Sequence, residues 1–177
     1  DDSNDSVIQA GDLLHVDFGI RNSGIVADQQ KMAYVLRPEE TDVPEGLRAA
    51  FSLSVRMAEI LREEFKIGRI GSEIKIAAET RAEAEGIDGQ VYSHAQGNWV
   101  HDAGVWMTHN WPERYGDHPK FPLRAGEWIS MEFSITVPIQ EWNGQRVTIM
   151  REEDTLIHAD GRVEFLSGPQ TELWVIR

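Results

Sequence analysis

The stretch LLHVDFGIRNSGIVADQQKMAYVL, residues 13–36, decides the fold class of this chain. Residues 13–20 and 25–36 are both rich in apolar and β-branched side chains, which are typical of strands. Between them, the stretch Arg-Asn-Ser-Gly at 21–24 consists largely of turn-forming residues. The pattern therefore predicts a β-hairpin near the start of the chain.

This first hairpin carries two acidic residues in apolar strands. A turn centred between Asn22 and Ser23 would place Asp17 directly opposite Asp28, with the Cβ atoms ~5 Å apart. Two facing carboxylates in such strands are costly unless they are protonated, paired or bound to a cation. The hairpin is thus a candidate half of a metal site.

Two helices are predicted after the hairpin. Between residues 42 and 65, apolar side chains recur at steps of three and four, which predicts an amphipathic helix with Asp42 and Glu45 as a capping pair. Residues 72–85 are rich in Ala, start with a hydroxyl residue and precede Gly86, which predicts a second helix.

The rest of the chain returns to a strand pattern. A long Trp-, Pro- and Gly-rich loop at residues 106–122 is expected at the rim of a functional site. Further strands are predicted at residues 91–94, 128–137, 146–157 and 172–176. Because the helices are segregated from antiparallel strands, the sequence predicts an α+β fold, as a single domain over residues 1–177.

A second hairpin, formed by residues 128–137 and 146–157, carries another acidic pair. A four-residue loop at 141–144 would place Glu132 opposite Glu153, whereas a tighter turn at Asn143 and Gly144 would place Glu132 opposite Thr155. Both registers remain open from the residues alone.

Composition excludes several classes of function. The chain has 177 residues, no Cys, 17 Lys and Arg, and 30 Asp and Glu, for a formal net charge of −13. The negative charge disfavours nucleic acids and anionic membranes as partners. No apolar run approaches the roughly 20 residues that span a bilayer, and the polar lead-in at residues 1–6 has no Met and no signal-like stretch. We therefore expect a soluble chain, with the cytoplasm favoured, whose start is processed or truncated.

Four inward carboxylates would carry a charge of −4, which two divalent cations could neutralise. An imidazole, with His94 as the candidate, would complete an oxygen-rich ligand set that suits Mn²⁺ best and admits Co²⁺, Zn²⁺ or Fe²⁺. Each residue also has a structural interpretation, since a strand Asp is usually a surface group and a lone His is usually a core or loop residue. Four further His side chains are interpreted as structural or surface residues, and three Trp side chains as packing residues: His15, His109, His118 and His158, and Trp106, Trp111 and Trp128.

Four segments in this order resemble the pita-bread metallopeptidases, family M24, and most of all its aminopeptidase P and prolidase branch. The segments are HVDFGIRNSGIVADQQKMAYVL, YSHAQGNWVHDAG, ISMEFSI and IMREEDTLIHADG. The last is similar to the Arg-x-Glu-Asp-Thr strand of the family. The resemblance implies the pita-bread fold, an antiparallel sheet with helices on its outer face, here lacking its N-terminal part.

The resemblance also implies roles for individual residues. The implied metal ligands are Asp17, Asp28, His94, Glu132 and Glu153. Glu132 would also be the general base and His101 the oxyanion donor, while Arg151 would help to hold the acids. Gln90 occupies a position near the substrate where the proline-specific branch often has His.

The activity implied is removal of an N-terminal residue from peptides, including Xaa-Pro peptides, by a hydroxide held between two metals. A peptide substrate and a homodimer are the partners this implies. Two alternatives remain: a pita-bread module that binds a peptide or protein without catalysis, and metal-free C–N hydrolysis of the creatinase type.

Overall fold

The structure, a computed structural model, describes residues 7–177, so the polar lead-in at residues 1–6 lies outside the described part. The strands are β1 (Leu13–Phe18), β2 (Arg21–Asn22), β3 (Ile25–Val26), β4 (Gln29–Val35), β5 (Gly89–Val91), β6 (His94–Ala95), β7 (Trp128–Ile139), β8 (Gln145–Ile157), β9 (Val163–Phe165) and β10 (Trp174–Ile176). The helices are α1 (Glu45–Glu64), α2 (Gly71–Ala84) and the short α3 (Pro112–Tyr115), with 3₁₀ turns at His118–Lys120 and Gln140–Trp142.

Eight strands form one sheet, in which β1, β4, β8, β7 and β5 follow one another in that order. Strands β10, β6 and β9 lie off this path and pair with β4, β7 and β8, respectively. All pairings in the sheet are antiparallel except that of β10 with β4. The sheet and its helices confirm the predicted α+β class.

The long hairpin of β7 and β8 has two different faces, because side chains alternate along a strand. Four odd-numbered side chains of β7 are fully buried and belong to the hydrophobic core: Ile129, Met131, Phe133 and Ile135. Helix α1 packs on β7 and β8 and contributes Leu47, Phe51, Met57, Ile60 and Leu61 to the same core. Burying each of these side chains stabilises the fold by roughly 1.5–3 kcal/mol. We call this side of the sheet the helix face and the opposite side the open face.

Both predicted helices are present, although the first begins differently from the prediction. Helix α1 starts after Pro44 without a side-chain cap, and the carboxylate of Asp42 instead accepts a hydrogen bond from Val43 N–H. The predicted capping pair is therefore wrong, and Glu45 in the first turn acts only through its charge on the helix dipole. Helix α2 ends as predicted before Gly86, which has a positive φ of 76°.

Three parts of the chain differ from the prediction. The predicted strand at residues 25–36 is interrupted between β3 and β4, and Asp28 lies in this interruption. The predicted loop at residues 106–122 contains α3 and a 3₁₀ turn, and β9 was not predicted. Within residues 7–177, no helix is long and apolar enough to cross a membrane.

Candidate metal centre

The register of β7 and β8 determines which acidic side chains face the same side of the sheet. Glu132 lies opposite Glu152, and Met131 lies opposite Glu153. The predicted pairing of Glu132 with Glu153 is therefore wrong, and so is its alternative with Thr155. Since Met131 belongs to the helix face, Glu132 and Glu152 share the open face.

Glu153 is fully buried on the helix face, where it is held by two basic side chains. Lys31 Nζ lies 2.5 Å from one carboxylate oxygen, and Arg151 Nη2 lies 3.0 Å from the other. Arg151 also donates to Ser54 Oγ on α1 at 3.1 Å and to the carbonyl oxygen of Gln170 at 2.5 Å. The structure thus places Glu153, predicted as a metal ligand, on the opposite side of the sheet from Glu132. It also shows that Arg151 holds Glu153 rather than the acids of the open face.

The first hairpin also has a different register from the predicted one. Its turn lies at Ser23 and Gly24, whose φ angles are 51° and 83°, so that Asp17 faces Gln30 rather than Asp28. Asp28 lies between β3 and β4, where its N–H donates to Asp154 Oδ1 at 3.3 Å. The interruption turns the buried Asp28 toward Glu152, while Asp17 stays exposed at the rim.

Four of these side chains converge on one point of the open face. His94 Nε2 lies 3.8 Å from Asp28 Oδ2, 3.7 Å from Glu132 Oε2 and 3.6 Å from Glu152 Oε1. Nε2 is buried and makes no hydrogen bond with any residue in the described part of the chain. We call these four residues, Asp28, His94, Glu132 and Glu152, the acidic cluster.

Burial and mutual repulsion set the protonation of the acidic cluster. Burial, followed by the charge of Glu152, raises the pKa of Glu132 to about 8. Burial is also the largest cause that raises the pKa of Asp28 and of Glu152. Burial lowers the pKa of His94, which favours the neutral imidazole with a free lone pair. Without a cation the cluster therefore retains protons that exposed carboxylates would lose.

The donor set of the acidic cluster fits a divalent cation. Asp28, His94 and Glu152 each offer one ligand atom, and these atoms all lie within 4.8 Å of one another. A neutral imidazole and ionised carboxylates are the ligands that Mn²⁺, Fe²⁺, Co²⁺ and Zn²⁺ accept. The charge of Asp17 helps to raise the pKa of both Asp28 and Glu152, which places a fourth acidic group beside the cluster.

Two polar residues that sequence reasoning missed hold the acids in place. Gln30 is 3% exposed, donates from Nε2 to Glu132 Oε1 at 2.7 Å, and pairs through Oε1 with His15 Nε2 at 3.0 Å. Ser130 Oγ donates to Glu152. Such partners fix the orientation of ligands. In the sequence, the signal for Gln30 and Ser130 is that each lies two positions from an acid on the same strand segment, and therefore on the same face.

The two remaining predicted site residues lie at the edge of the acidic cluster or beyond it. The His101 ring is exposed and stands 4.1 Å from the His94 ring, centroid to centroid. Burial and, next, the charge of His94 lower the pKa of His101, so its imidazole is neutral near pH 7. Gln90 is exposed on β5, opposite Ser134 on β7, and lines a groove discussed below.

Divalent metal is expected to stabilise this chain more at high pH than at low pH. The raised pKa of Glu132 means that the metal-free fold loses stability as pH rises from about 4.5 to about 8, because the folded state keeps a proton that the unfolded chain releases. Mn²⁺ binds the deprotonated acids, so its gain in melting temperature should grow across this window.

Differential scanning fluorimetry near pH 5 and near pH 8, with Mn²⁺ or a chelator, measures this gain. His94→Ala serves as the control and should show no Mn²⁺ effect at either pH. An equal shift of the unsubstituted chain at both pH values would contradict the expectation.

The fold and the acidic cluster define a class of protein: a pita-bread domain whose open face carries one imidazole and several carboxylates arranged for divalent cations. Comparison with protein families gives the family itself. The sequence model of metallopeptidase family M24 matches residues 1–159, and the chain belongs to this family. No curated protein matches the sequence.

Solved structures with the same fold include two peptidases. The X-Pro aminopeptidase from Thermotoga maritima has 19% identity and a TM-score of 0.74, and the match covers 98% of this chain and 44% of that one. The Xaa-Pro dipeptidase from Bacillus anthracis has 19% identity and a TM-score of 0.68, with 97% and 43% covered. The chain thus spans less than half the length of these proteins.

The same fold also occurs in a protein described as a complex subunit. The N-terminal domain of FACT complex subunit SPT16 from Eremothecium gossypii has 9% identity and a TM-score of 0.75, and the match covers 98% of this chain and 38% of that domain. Fold similarity alone therefore does not separate hydrolysis from binding.

Proposed function

We propose that this chain is the metal-binding part of an aminopeptidase or dipeptidase that hydrolyses the peptide bond next to a free N-terminus. The observation that carries the proposal is the buried Nε2 of His94, which has no hydrogen-bond partner among residues 7–177 and faces carboxylates of Asp28, Glu132 and Glu152. A buried donor set of this kind is costly without a cation to neutralise it. The proposed ligands are Asp17, Asp28, His94, Glu132 and Glu152, and Mn²⁺ is the proposed metal.

A pair of divalent cations, when bound, supplies the Lewis-acid and nucleophile-generating chemistry of such hydrolases. The residues of the chain perform the remaining tasks. Asp17 is exposed at the rim of the acidic cluster, where its charge can hold the ammonium group of a peptide. A substrate with a free N-terminus fits this negative rim better than an acidic or blocked peptide.

Glu132 is the proposed general base. Its carboxylate is oriented by Gln30 and lies 3.7 Å from His94 Nε2. Bound cations would keep this carboxylate deprotonated, so that it can accept a proton and later return it. In the proposed reaction, Glu132 takes a proton from the attacking water and passes it to the leaving amine.

His101 is the proposed donor to the developing negative charge on the peptide carbonyl. Its ring is exposed beside His94, and its lowered pKa keeps one N–H and one free nitrogen near neutral pH. A preorganised donor beside the reacting carbonyl stabilises the transition state.

Peptide cleavage with and without metal tests the function. Peptides of the Xaa-Pro and Met-Xaa types are incubated with the chain and Mn²⁺, or with the chain and a chelator, and release of the N-terminal residue is measured by mass spectrometry. We expect cleavage only with Mn²⁺, and none by His94→Ala. Preference for Xaa-Pro peptides would assign the substrate.

Two other results would overturn the proposal in favour of a different function. Peptide binding without cleavage under any metal would favour a binding module, the alternative raised by the similarity to the FACT subunit. Cleavage that persists in His94→Ala and in the chelator would favour metal-free hydrolysis.

A further inference from the structure

A row of aromatic rings runs from the acidic cluster to a groove at the edge of the sheet. The ring of His101 lies 4.1 Å from that of His94, and Trp106 follows 5.8 Å beyond His101. Tyr115 on α3 lies 6.5 Å from Trp106, and Trp111 lies 6.3 Å from Tyr115 in a stacked arrangement. The row connects the candidate metal centre with a surface that the proposed function does not use.

The row ends at a groove of about 420 Å³. We call it the aromatic groove, and its relevant lining residues are Gln90, Tyr92, His109, Trp111 and Tyr115. Tyr92 lies between the groove and the acidic cluster, since its backbone N–H donates to the backbone carbonyl oxygen of Glu132. Trp111 is 50% exposed, and the His109 ring stacks on it at 4.7 Å. The exposed rings are therefore held in place by stacking within the groove wall rather than by burial in the core.

The groove does not bind a ligand by adding a strand to the edge of the sheet. Strand β5 lies at the edge of the sheet, but Val91 N–H donates to Glu79 Oε1 at 2.8 Å and Lys75 Nζ donates to the carbonyl oxygen of Val91 at 2.8 Å. These side chains block addition of another strand at this position. A ligand must therefore bind the groove through side chains.

The charges around the groove favour an uncharged ligand. Glu79 is paired with Lys75 and Asp88 with Arg146, each at 2.5 Å, so both acids already have a basic partner. The guanidinium of Arg114 stands over the Tyr115 ring at 5.2 Å and already supplies a cation to the aromatic wall. A planar apolar ring that stacks on Trp111 fits better than a lysine or arginine side chain.

We propose that the aromatic groove is a subsite for an aromatic side chain of the peptide substrate, with Trp111 as its stacking platform. The inference rests on the proposed function for the identity of the ligand as a peptide. It adds a specificity that neither the metal ligands nor the fold implies.

Binding of a phenylalanine scan tests the subsite without relying on catalysis. Alanine tetrapeptides with a free N-terminus carry a single Phe at each position in turn, and parallel sets carry Leu or Lys at the same positions. Dissociation constants are measured by isothermal titration calorimetry in the presence of a chelator. We expect Phe at one position to tighten binding by about tenfold over the all-alanine peptide, and Leu or Lys to do so by less.

Substitutions at Trp111 assign the preference to the groove. Trp111→Ala should reduce the Phe preference to about twofold or less, whereas Trp111→Phe should retain most of it. Trp174→Ala is the matched control, since Trp174 is 54% exposed but lies on β10 outside the groove. Circular dichroism confirms that each variant is folded.

The outcomes separate this inference from the proposed function. A Phe preference that depends on Trp111, in a chain that cleaves nothing, would support the subsite and overturn the peptidase proposal. Cleavage with no Phe preference, a preference for Lys, or a Phe preference that survives in Trp111→Ala would overturn the subsite.

Discussion

Substitution of the two adjacent glutamates, Glu152→Gln and Glu153→Gln, is expected to have opposite effects. Glu152 is in the acidic cluster, so its neutral substitute should remove the stabilisation by Mn²⁺. In the metal-free chain the same substitution relieves like-charge repulsion and should leave stability unchanged or higher. The loss of stability in Glu152→Gln is thus expected only when Mn²⁺ is present.

Glu153→Gln is expected to destabilise the fold itself. It removes the carboxylate that both Lys31 and Arg151 contact, and both basic residues are buried. Leaving a buried ion network without its opposite charge typically costs about 3–5 kcal/mol. The remaining folded protein should still be stabilised by Mn²⁺, because the acidic cluster is intact.

Urea unfolding of both variants, with and without Mn²⁺, measures this pair of effects. Both variants replace one of two adjacent glutamates by glutamine, so each variant is the control for the other. The reverse result, in which Glu153→Gln loses the Mn²⁺ effect and Glu152→Gln loses stability, would show that the assigned faces of β8 are interchanged.

Glu132→Gln should reduce cleavage of the best peptide by about 10²- to 10⁴-fold, the usual contribution of a general acid–base residue. The amide cannot accept the proton of the attacking water. Steady-state kinetics in Mn²⁺ measures the loss. Glu141→Gln is the control, since Glu141 lies in the exposed loop between β7 and β8, where its carboxylate accepts a hydrogen bond from the N–H of Gly46 on α1.

The control variant should keep the activity of the unsubstituted chain. If Glu132→Gln retained activity within about tenfold of the unsubstituted chain, a different group would have to act as the base. A melting curve in Mn²⁺ shows whether the loss arises from weaker metal binding, because Glu132 is also a proposed ligand.

Two hairpins and their acidic residues could be predicted from the sequence because each carries a clear strand–turn–strand pattern. The registers could not, because they depend on the turns. In the first hairpin the turn lies one residue later than predicted, which moves the partner of Asp17 by two positions, from Asp28 to Gln30. A shift of two keeps the same face, so Asp28 still belongs to the site.

The second hairpin shows the larger consequence of register. Its loop spans residues 140–144 and includes a 3₁₀ turn and Asn143 at a φ of 54°. The pairing therefore differs by one position from the predicted one, and a shift of one exchanges the two faces. This is why Glu152, and not Glu153, shares the open face with Glu132.

The apolar alternation in β8 could have corrected this prediction. Val147 and Ile149 are apolar and each follows a polar residue, Arg146 and Thr148, which favours the odd-numbered positions, and Glu153 with them, for the core. The acidic run at 152–154 hides this pattern, because all three side chains are plausible ligands. Family resemblance then favoured Glu153. The buried ion network with Lys31 and Arg151 depends on contacts distant in the sequence.

Crystals grown with Mn²⁺ and measured at a wavelength with strong manganese anomalous scattering test the central claim most directly. The predicted result is anomalous density between His94 Nε2 and the carboxylates of Asp28, Glu132 and Glu152, within coordination distance of their oxygen atoms. Two peaks there would also establish a dinuclear site. Density beside Glu153, or none near His94, would contradict the assignment of the open face as the metal centre.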